Sequence, residues 1–396
     1  MPDDVPAGVP LVMVEDTTKA LGSLAAWHRA RFDVPVVAVT GSNGKTTTKE
    51  MIAGVLGTRW RTHRPRSSFN NQWGLPLTLF ALGPEHDALV VEIGANQPGE
   101  IAYLAGLARP TVSVVTTVAA VHTEFFRTLD GVRDEKAALV RALASDGFAV
   151  LNADDPRVAS MARDTSATVV TYGRAPSARV RATDERDEPG GVSFTLHADG
   201  GRAPAALAFA GRHNVGNALA AAGVGVALGF SLEEIASGLA AARPVAGRCV
   251  WKAAADVRIL DDTYNANPVS VAAALDTVAA HRGDSRLILV LGDMLELGDI
   301  ADEAHRELGR RVAAMGAAHF IGVGRHAALA VEAARAAGFA DARQATTFED
   351  TMAELLKQVA PGDVVLVKGS RGMRMERVVD ALVARLQRPQ PGTGPE

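Results

Sequence analysis

Residues 36–48 read VVAVTGSNGKTTT. An apolar, β-branched run breaks into a glycine turn, and a lysine with three threonines then starts a helix. Gly41 and Gly44 let the backbone come close to an anion. The turn residues Ser42 and Asn43 and the first helical residues, through Thr47, present N–H groups to it, and Lys45 adds a mobile positive charge. Thr46 offers a hydroxyl to Mg²⁺. A full G-x-x-x-x-G-K-[ST] pattern needs glycine at position 39, where Val39 stands, so the stretch is a variant. A structural glycine turn is the plain alternative. The strand before it and the helix-forming KEMIAGVL after it favour a nucleotide phosphate cradle.

Outward from this loop, short β-runs alternate with helical stretches: DALVVEIG at 87–94, TVSVVTTV at 111–118 and GFAVLN at 147–152. That alternation predicts a mostly parallel sheet with helices on both faces. Between 168 and 211 shorter runs divided by Gly, Pro and Asp predict an antiparallel extension of the sheet, followed by a small-residue helix over 215–228. Arg243 and Pro244 mark the expected boundary. VRILDD, RLILVLGD, HFIGVG and DVVLVKGS then alternate with helices again, which predicts a second, Rossmann-like α/β domain. Upstream, VPLVMVED at 9–16 reads as a strand and 17–31 as an amphipathic helix. The expected division is a linker remnant over 1–34, a central domain over 35–243, a C-terminal domain over 244–388 and a disordered tail over 389–396.

The chain has 396 residues, 47% of them hydrophobic and 22% charged, with a formal net charge of -4. Such a composition suits two or three globular domains and gives no basic surface for nucleic acid or a membrane. The single cysteine, Cys249, excludes an intrachain disulfide and reads as a small buried apolar residue. The start carries no leader-like pattern and no apolar run reaches about 18 residues, so a soluble, cytoplasmic protein is expected.

Further polar residues stand where a ligand crevice would open. Glu92 ends the run VVEIG and suits a magnesium carboxylate, or is a surface residue at a strand end. His122 follows a third β-run that opens on the same crevice, where a hydrogen-bonded turn histidine is the plain reading. Lys136 reads as an exposed helical lysine between carboxylates. The run RWRTHRPR at 59–66 either meets an anionic substrate or is a solvated loop. Asn214 and Asn217 share one helix face, to cap the helix or read an adenine edge. Arg248 and Asp262, with TYNANP after them, suit closure over a transferring phosphate from the second domain. Lys368, Ser370, Arg371 and Arg374 form a second possible anion site at a strand end, or a basic helix start.

The motifs TGSNGKTTTKEM, NNQWGLPLTL, VEIGANQPGEI, VHTEFF, NADDP, GRHNVGNALAA, DDTYNANPVS, LGDMLELG and KGSRGMRMERVV together resemble the Mur ligase family, over about 9–383. DDTYNANP and KGSRGM resemble most the branch that joins D-alanyl-D-alanine to a UDP-linked muramoyl tripeptide. The resemblance implies that ATP phosphorylates the peptide's terminal carboxylate and that the dipeptide amine attacks the acyl phosphate. It implies Lys45 on the transferred phosphate, Thr46 and Glu92 on a first Mg²⁺, and His122 with a carbamoylated Lys136 on a second metal. Asn214 and Asn217 fall near the adenine, with Arg248 and Asp262 approaching from the C-terminal domain. Asn70 and Asn71 touch the acyl substrate, and Tyr264, Asn265, Asn267 and the Lys368–Arg374 stretch lie near the dipeptide. The family often has an acidic residue two positions after the carbamoylated lysine, where this chain has Ala138. Of the family's first, uridine-gripping domain, only a last strand and a linking helix are expected here. A monomer is expected. An amide ligase on an acyl substrate without UDP, as in the folylpolyglutamate synthase branch, and a nucleotide-binding module without ligation are the competing readings.

Overall fold

A computed structural model describes residues 11–65, 68–120, 123–188 and 190–387. The first sheet has nine strands: β1 (Val36–Thr40), β2 (Thr62–His63), β3 (Ala88–Glu92), β4 (Val112–Val115), β5 (Phe148–Asn152), β6 (Thr168–Gly173), β7 (Val180–Glu188), β8 (Gly191–Ala198) and β9 (Gly201–Leu207). Their order across the sheet is β2-β3-β1-β4-β5-β6-β7-β8-β9. Pairings from β2 through β7 are parallel, and β7-β8-β9 form the antiparallel extension. The second sheet holds β10 (Val250–Ala254), β11 (Val257–Asp262), β12 (Leu287–Gly292), β13 (His319–Val323), β14 (Ala342–Ala345) and β15 (Val364–Lys368). Its order is β10-β11-β15-β12-β13-β14, parallel except for the hairpin β10-β11.

This order positions the site. β1 lies between β3 and β4, so the chain leaves the carboxyl ends of three neighbouring strands at Gly41, Ile93 and Thr116. Chain segments leaving adjacent parallel strands in opposite directions open a crevice there. Strand β1 is buried on both faces. Val37 and Val39 face the helix Lys45–Leu56, while Val36 and Ala38 face the helix Glu100–Ala108. The small residues of the helix His213–Ala227 let it and the helix Leu232–Ala241 approach the phosphate-loop helix closely. At Gly238 an added Cβ would lie 2.4 Å from Val55 Cα, an overlap that would force the helices apart.

One expected element differs. Residues 11–16 form no strand with any of the described residues, and Val12 and Met13 are exposed. Apolar periodicity without a partner edge leaves the backbone to water rather than to a ladder. The following helix spans Thr17–Arg29, started by Asp16, whose carboxylate accepts from Thr18 N at 2.8 Å and Lys19 N at 3.0 Å. The expected tail over 389–396 lies outside the described residues.

Candidate active site

Gly41 (φ 146°) and Gly44 (φ 81°) adopt backbone angles that favour glycine. The space beside them is already filled, since a Cβ would meet Thr116 Oγ1 at 1.8 Å and Asn217 Oδ1 at 2.2 Å respectively. The segment after β4 fastens the loop: Ser42 N donates to Thr117 O at 2.8 Å, Asn43 N to Thr117 Oγ1 at 3.2 Å, and Thr116 Oγ1 to Asn43 O at 2.5 Å. The N–H groups of Ser42 and Asn43 are therefore committed within the protein. What faces an anion is the first turn of the helix Lys45–Leu56, including Thr46 and Thr47, where backbone donors have no intrahelical partner.

Lys45 is held over this turn by a 2.7 Å hydrogen bond to Gly41 O. Burial lowers its amine pKa, the Arg248 charge adds to the effect, and Glu92 opposes it. Glu92 is 1% exposed. It accepts from Thr46 Oγ1 at 2.7 Å and Asn70 Nδ2 at 2.8 Å, and Ser68 Oγ lies 3.1 Å from Thr46 Oγ1. A buried carboxylate with only neutral donors is costly. Glu92 forms no ion pair among the described residues, so this oxygen cluster fits a hard divalent cation. Among the described residues no group of three or more His, Cys, Asp and Glu is gathered for a metal. His122 lies outside the described residues.

Lys136 corrects the expectation of a surface lysine. It is 5% exposed on the helix Leu129–Arg141. Burial and the nearby Lys45 charge lower its pKa to about 7, against the opposing charge of Glu135. Val132, Lys136 and Val140 recur at intervals of four, so the lysine lies on the apolar face of its helix. Charged neighbours in sequence concealed that pattern. Glu135 is occupied elsewhere, accepting from Gly99 N at 2.7 Å and Ile101 N at 2.8 Å.

Residues of the second sheet close the crevice. Asn43 and Asn267 exchange amide hydrogen bonds, 2.7 Å from Asn267 Nδ2 and 3.4 Å from Asn43 Nδ2, while Asn267 also caps the helix Pro268–His281. The Arg248 guanidinium lies 3.8 Å above the Tyr264 ring and donates to Ser68 Oγ at 3.2 Å, which brings it to the Thr46–Glu92 cluster. Asp262 accepts from Lys368 Nζ at 2.5 Å and from Cys249 N at 3.0 Å, so its carboxylate serves the second domain's own framework. Lys368 also donates to Asn265 O at 2.9 Å, Ser370 Oγ accepts from Leu295 N at 2.8 Å, and Arg371 N donates to Asn265 Oδ1 at 3.3 Å. These residues form one network, whereas the Arg374 side chain is exposed beside it.

The remaining expected residues divide by task. Asn217 donates to Asn214 Oδ1 at 2.9 Å and accepts from Thr48 Oγ1 at 3.2 Å, against Gly44 of the phosphate loop. Asn214 itself donates to Ala210 O at 2.8 Å. Asn71 caps the helix Gly74–Phe80 through Gly74 N at 2.9 Å, unlike its neighbour Asn70 on Glu92. In the basic run, Arg64 pairs with Glu50 at 2.7 Å and Arg61 with Asp87 at 3.4 Å, and Arg66 lies outside the described residues. Cys249 is buried, which raises its thiol pKa. Thr116, Thr117 and Ser68 belong to the site and were missed by sequence reasoning. The threonines were legible only as the end of the β-run 111–118.

Two family models match: the Mur ligase middle domain over residues 39–225, and the Mur ligase, glutamate ligase domain over residues 247–371. The UDP-N-acetylmuramoyl-tripeptide–D-alanyl-D-alanine ligase of Escherichia coli is 38% identical, over 94% of this chain and 82% of its own length. The chain belongs to the Mur ligase family. Among solved members of this family, the UDP-N-acetylmuramoylalanyl-D-glutamyl-2,6-diaminopimelate–D-alanyl-D-alanyl ligase of Acinetobacter baumannii is 33% identical. It superposes with a TM-score of 0.85 over 96% of this chain and 83% of its own. The MurF ligase of Thermotoga maritima, solved in complex with ADP, is 26% identical with a TM-score of 0.85, over 97% of this chain and 87% of its own. Among the described residues, no helix is long and apolar enough to cross a membrane.

Proposed function

We propose that this Mur ligase consumes ATP to join D-alanyl-D-alanine to UDP-N-acetylmuramoyl-tripeptide, a step of peptidoglycan precursor synthesis. The observation that carries the reading is the joining of two polar sites. The Lys45–Thr46–Glu92 phosphate site is bridged by Asn43 and Asn267 to the Asn265–Lys368–Arg371 network of the second sheet. One site suits a phosphoryl donor and the other an incoming dipeptide, and a ligase needs both at one carboxylate.

A carboxylate oxygen is a poor leaving group and a phosphate a good one. An oxygen of the peptide's terminal carboxylate attacks the γ-phosphorus of ATP and ADP leaves. The dipeptide amine then adds to the acyl carbon, loses a proton, and phosphate departs as the amide forms. Lys45 and Arg248 hold positive charge where the phosphoryl oxygens gather charge, which lowers the barrier. Thr46 and Glu92 would hold Mg²⁺, which when bound neutralises charge on the phosphate oxygens. Lys136 suits a second metal ligand by a different route. With its pKa near 7, a large share of its amine is neutral and nucleophilic toward CO₂. N–C bond formation with loss of a proton gives an anionic carbamate, a role for which His122 would be the partner. The adenine is assigned to the Asn214–Asn217 side of the loop.

The test is ADP release from ATP with the UDP-linked tripeptide, in the presence and absence of D-alanyl-D-alanine. Sustained release that requires both, with one amide formed per ADP, is expected. Release indifferent to the dipeptide would refute the ligase reading.

A further inference from the structure

No side chain of the stretch LGDMLELG at 291–298 has a part in the proposed chemistry, yet its backbone is bonded into the polar network of the second sheet. β12 ends at Gly292 and β15 at Lys368, and the two strands are paired, so the loops leaving them lie side by side. A Cβ on Gly369 would lie 3.3 Å from Gly292 Cα. Two hydrogen bonds join the loops: Ser370 N donates to Asp293 O at 3.1 Å, and Leu295 N donates to Ser370 Oγ at 2.8 Å. The Leu295 side chain is 39% exposed and lies against Gly372, where a Cβ would meet its Cδ1 at 3.1 Å. At the far end of the stretch, Gly298 adjoins the first domain, since a Cβ there would lie 3.4 Å from Glu124 N. The loop 293–297 therefore lies between the Asn265–Lys368–Arg371 network and the segment that follows β4.

One buried histidine holds this loop. His305 is on the helix Ala301–Ala314 and is 0% exposed. Met294 N lies 3.0 Å from its Nε2, and Ala301 O lies 2.7 Å from its Nδ1. A backbone N–H can only donate, so Nε2 accepts, and the ring proton stands on Nδ1 and is donated to the carbonyl. Both nitrogens are thus committed, and the ring is a strut between the first turn of its helix and the loop. Burial lowers the His305 pKa; the Ala301 carbonyl and Asp293 oppose this, the stacked His326 adds to it, and Asp302 opposes it. The neutral ring is the form the loop needs, because an imidazolium would set a second N–H against that of Met294.

Resting on the ligase reading, which gives the Asn265–Lys368–Arg371 network to the incoming dipeptide, we propose that His305 is a positioning residue of the amine site. Its Nε2 fixes Met294 N, and thereby the place at which Leu295 and Ser370 stand beside the dipeptide. Without that acceptor the Met294 N–H is buried and unpaired, and the loop must shift to satisfy it. The shift carries Leu295 N away from Ser370 Oγ and leaves Lys45, Thr46 and Glu92 in place, so the loss falls on the dipeptide and not on ATP.

The experiment separates the two nitrogens. His305→Asn keeps a donor where Nδ1 stands and has no acceptor where Nε2 stands, and His305→Gln does the reverse. The full chain is assayed with ATP, UDP-N-acetylmuramoyl-tripeptide and D-alanyl-D-alanine. In His305→Asn, the KM for D-alanyl-D-alanine should rise about tenfold, the scale of one lost buried hydrogen bond, with the KM for ATP within about twofold of wild type. His305→Gln should keep the dipeptide KM within about threefold of wild type. In the wild type, ¹⁵N-histidine NMR should find His305 protonated on Nδ1 alone, with shifts that move when D-alanyl-D-alanine saturates the enzyme. The NMR measurement decides the matter if His305→Asn does not fold. Equal dipeptide KM in the two variants, a rise shared by ATP, or His305 shifts indifferent to the dipeptide overturns the assignment while leaving the ligase reading intact. No amide from the wild type overturns the ligase reading and this assignment with it.

Discussion

Replacing Lys136 by methionine should abolish ligation and yet stabilise the fold, in a way that depends on pH. An ordinary lysine, with a pKa of 10.5, is neutral at pH 7 in about one molecule in three thousand, whereas at a pKa of about 7 roughly half are neutral. Between those values the unfolded chain holds a proton that the folded chain does not. Wild-type stability therefore rises with pH through the window from about 7 to about 10.5. The penalty of burying Lys136 is fully present below it and gone above it. The two pKa values make this penalty about 4 to 5 kcal/mol at pH 6.5 and about 1 to 2 kcal/mol at pH 9.5. The apolar gain of methionine is the same at both pH values. The gain of Lys136→Met over wild type should thus be about 3 kcal/mol larger at pH 6.5 than at pH 9.5, by denaturant unfolding in CO₂-free buffer. Bicarbonate at pH 8 should stabilise the wild type, by trapping the neutral amine as carbamate, and not the variant. A gain independent of pH would mean that Lys136 titrates as a solvated lysine, and the argument for a metal-binding carbamate would fall with it.

Asn43→Ala and Asn267→Ala should each lower kcat/KM, and together by less than the sum of their free-energy effects, with a coupling of about 0.5 to 1.5 kcal/mol. Strict additivity in that double-mutant cycle would remove the bridge from the mechanism. Lys368→Met, which strands the Asp262 carboxylate, should cost about 3 to 5 kcal/mol in thermal unfolding. Adding Asp262→Asn should restore part of it, and no restoration would show that the ion pair is not what Lys368 contributes. Gly44→Ala, at φ 81° and facing Asn217 Oδ1 at 2.2 Å, should weaken ATP binding at least tenfold by calorimetry. Wild-type affinity would show that the loop tolerates a side chain there.

The phosphate loop was legible because its chemistry is local: glycine, lysine and threonine act within one turn, and the strand and helix around them follow from apolar periodicity. The mostly parallel sheet and its antiparallel extension were legible for the same reason, whereas the order β3-β1-β4 is set by long-range pairing that no local pattern carries. Lys136 was misread because Asp134 and Glu135 beside it look like solvent partners, although its spacing from Val132 and Val140 marks the buried face. The Asn43–Asn267 bridge spans 224 residues of sequence, and nothing local in either amide announces the other. Thr116 and Thr117 carry no signal of their own either, since their task is to fasten a loop that arrives from a neighbouring strand. Residues 11–16 show the limit of pattern reading: a strand exists only where another edge receives it.

In this reaction one oxygen of the tripeptide's carboxylate leaves on phosphate. Both oxygens of the tripeptide's reacting carboxylate are labelled with ¹⁸O, a turnover mixture with ATP and D-alanyl-D-alanine is quenched, and the released phosphate is analysed by mass. One ¹⁸O per phosphate, with the other retained in the new amide, is the predicted result; phosphate without label would contradict it.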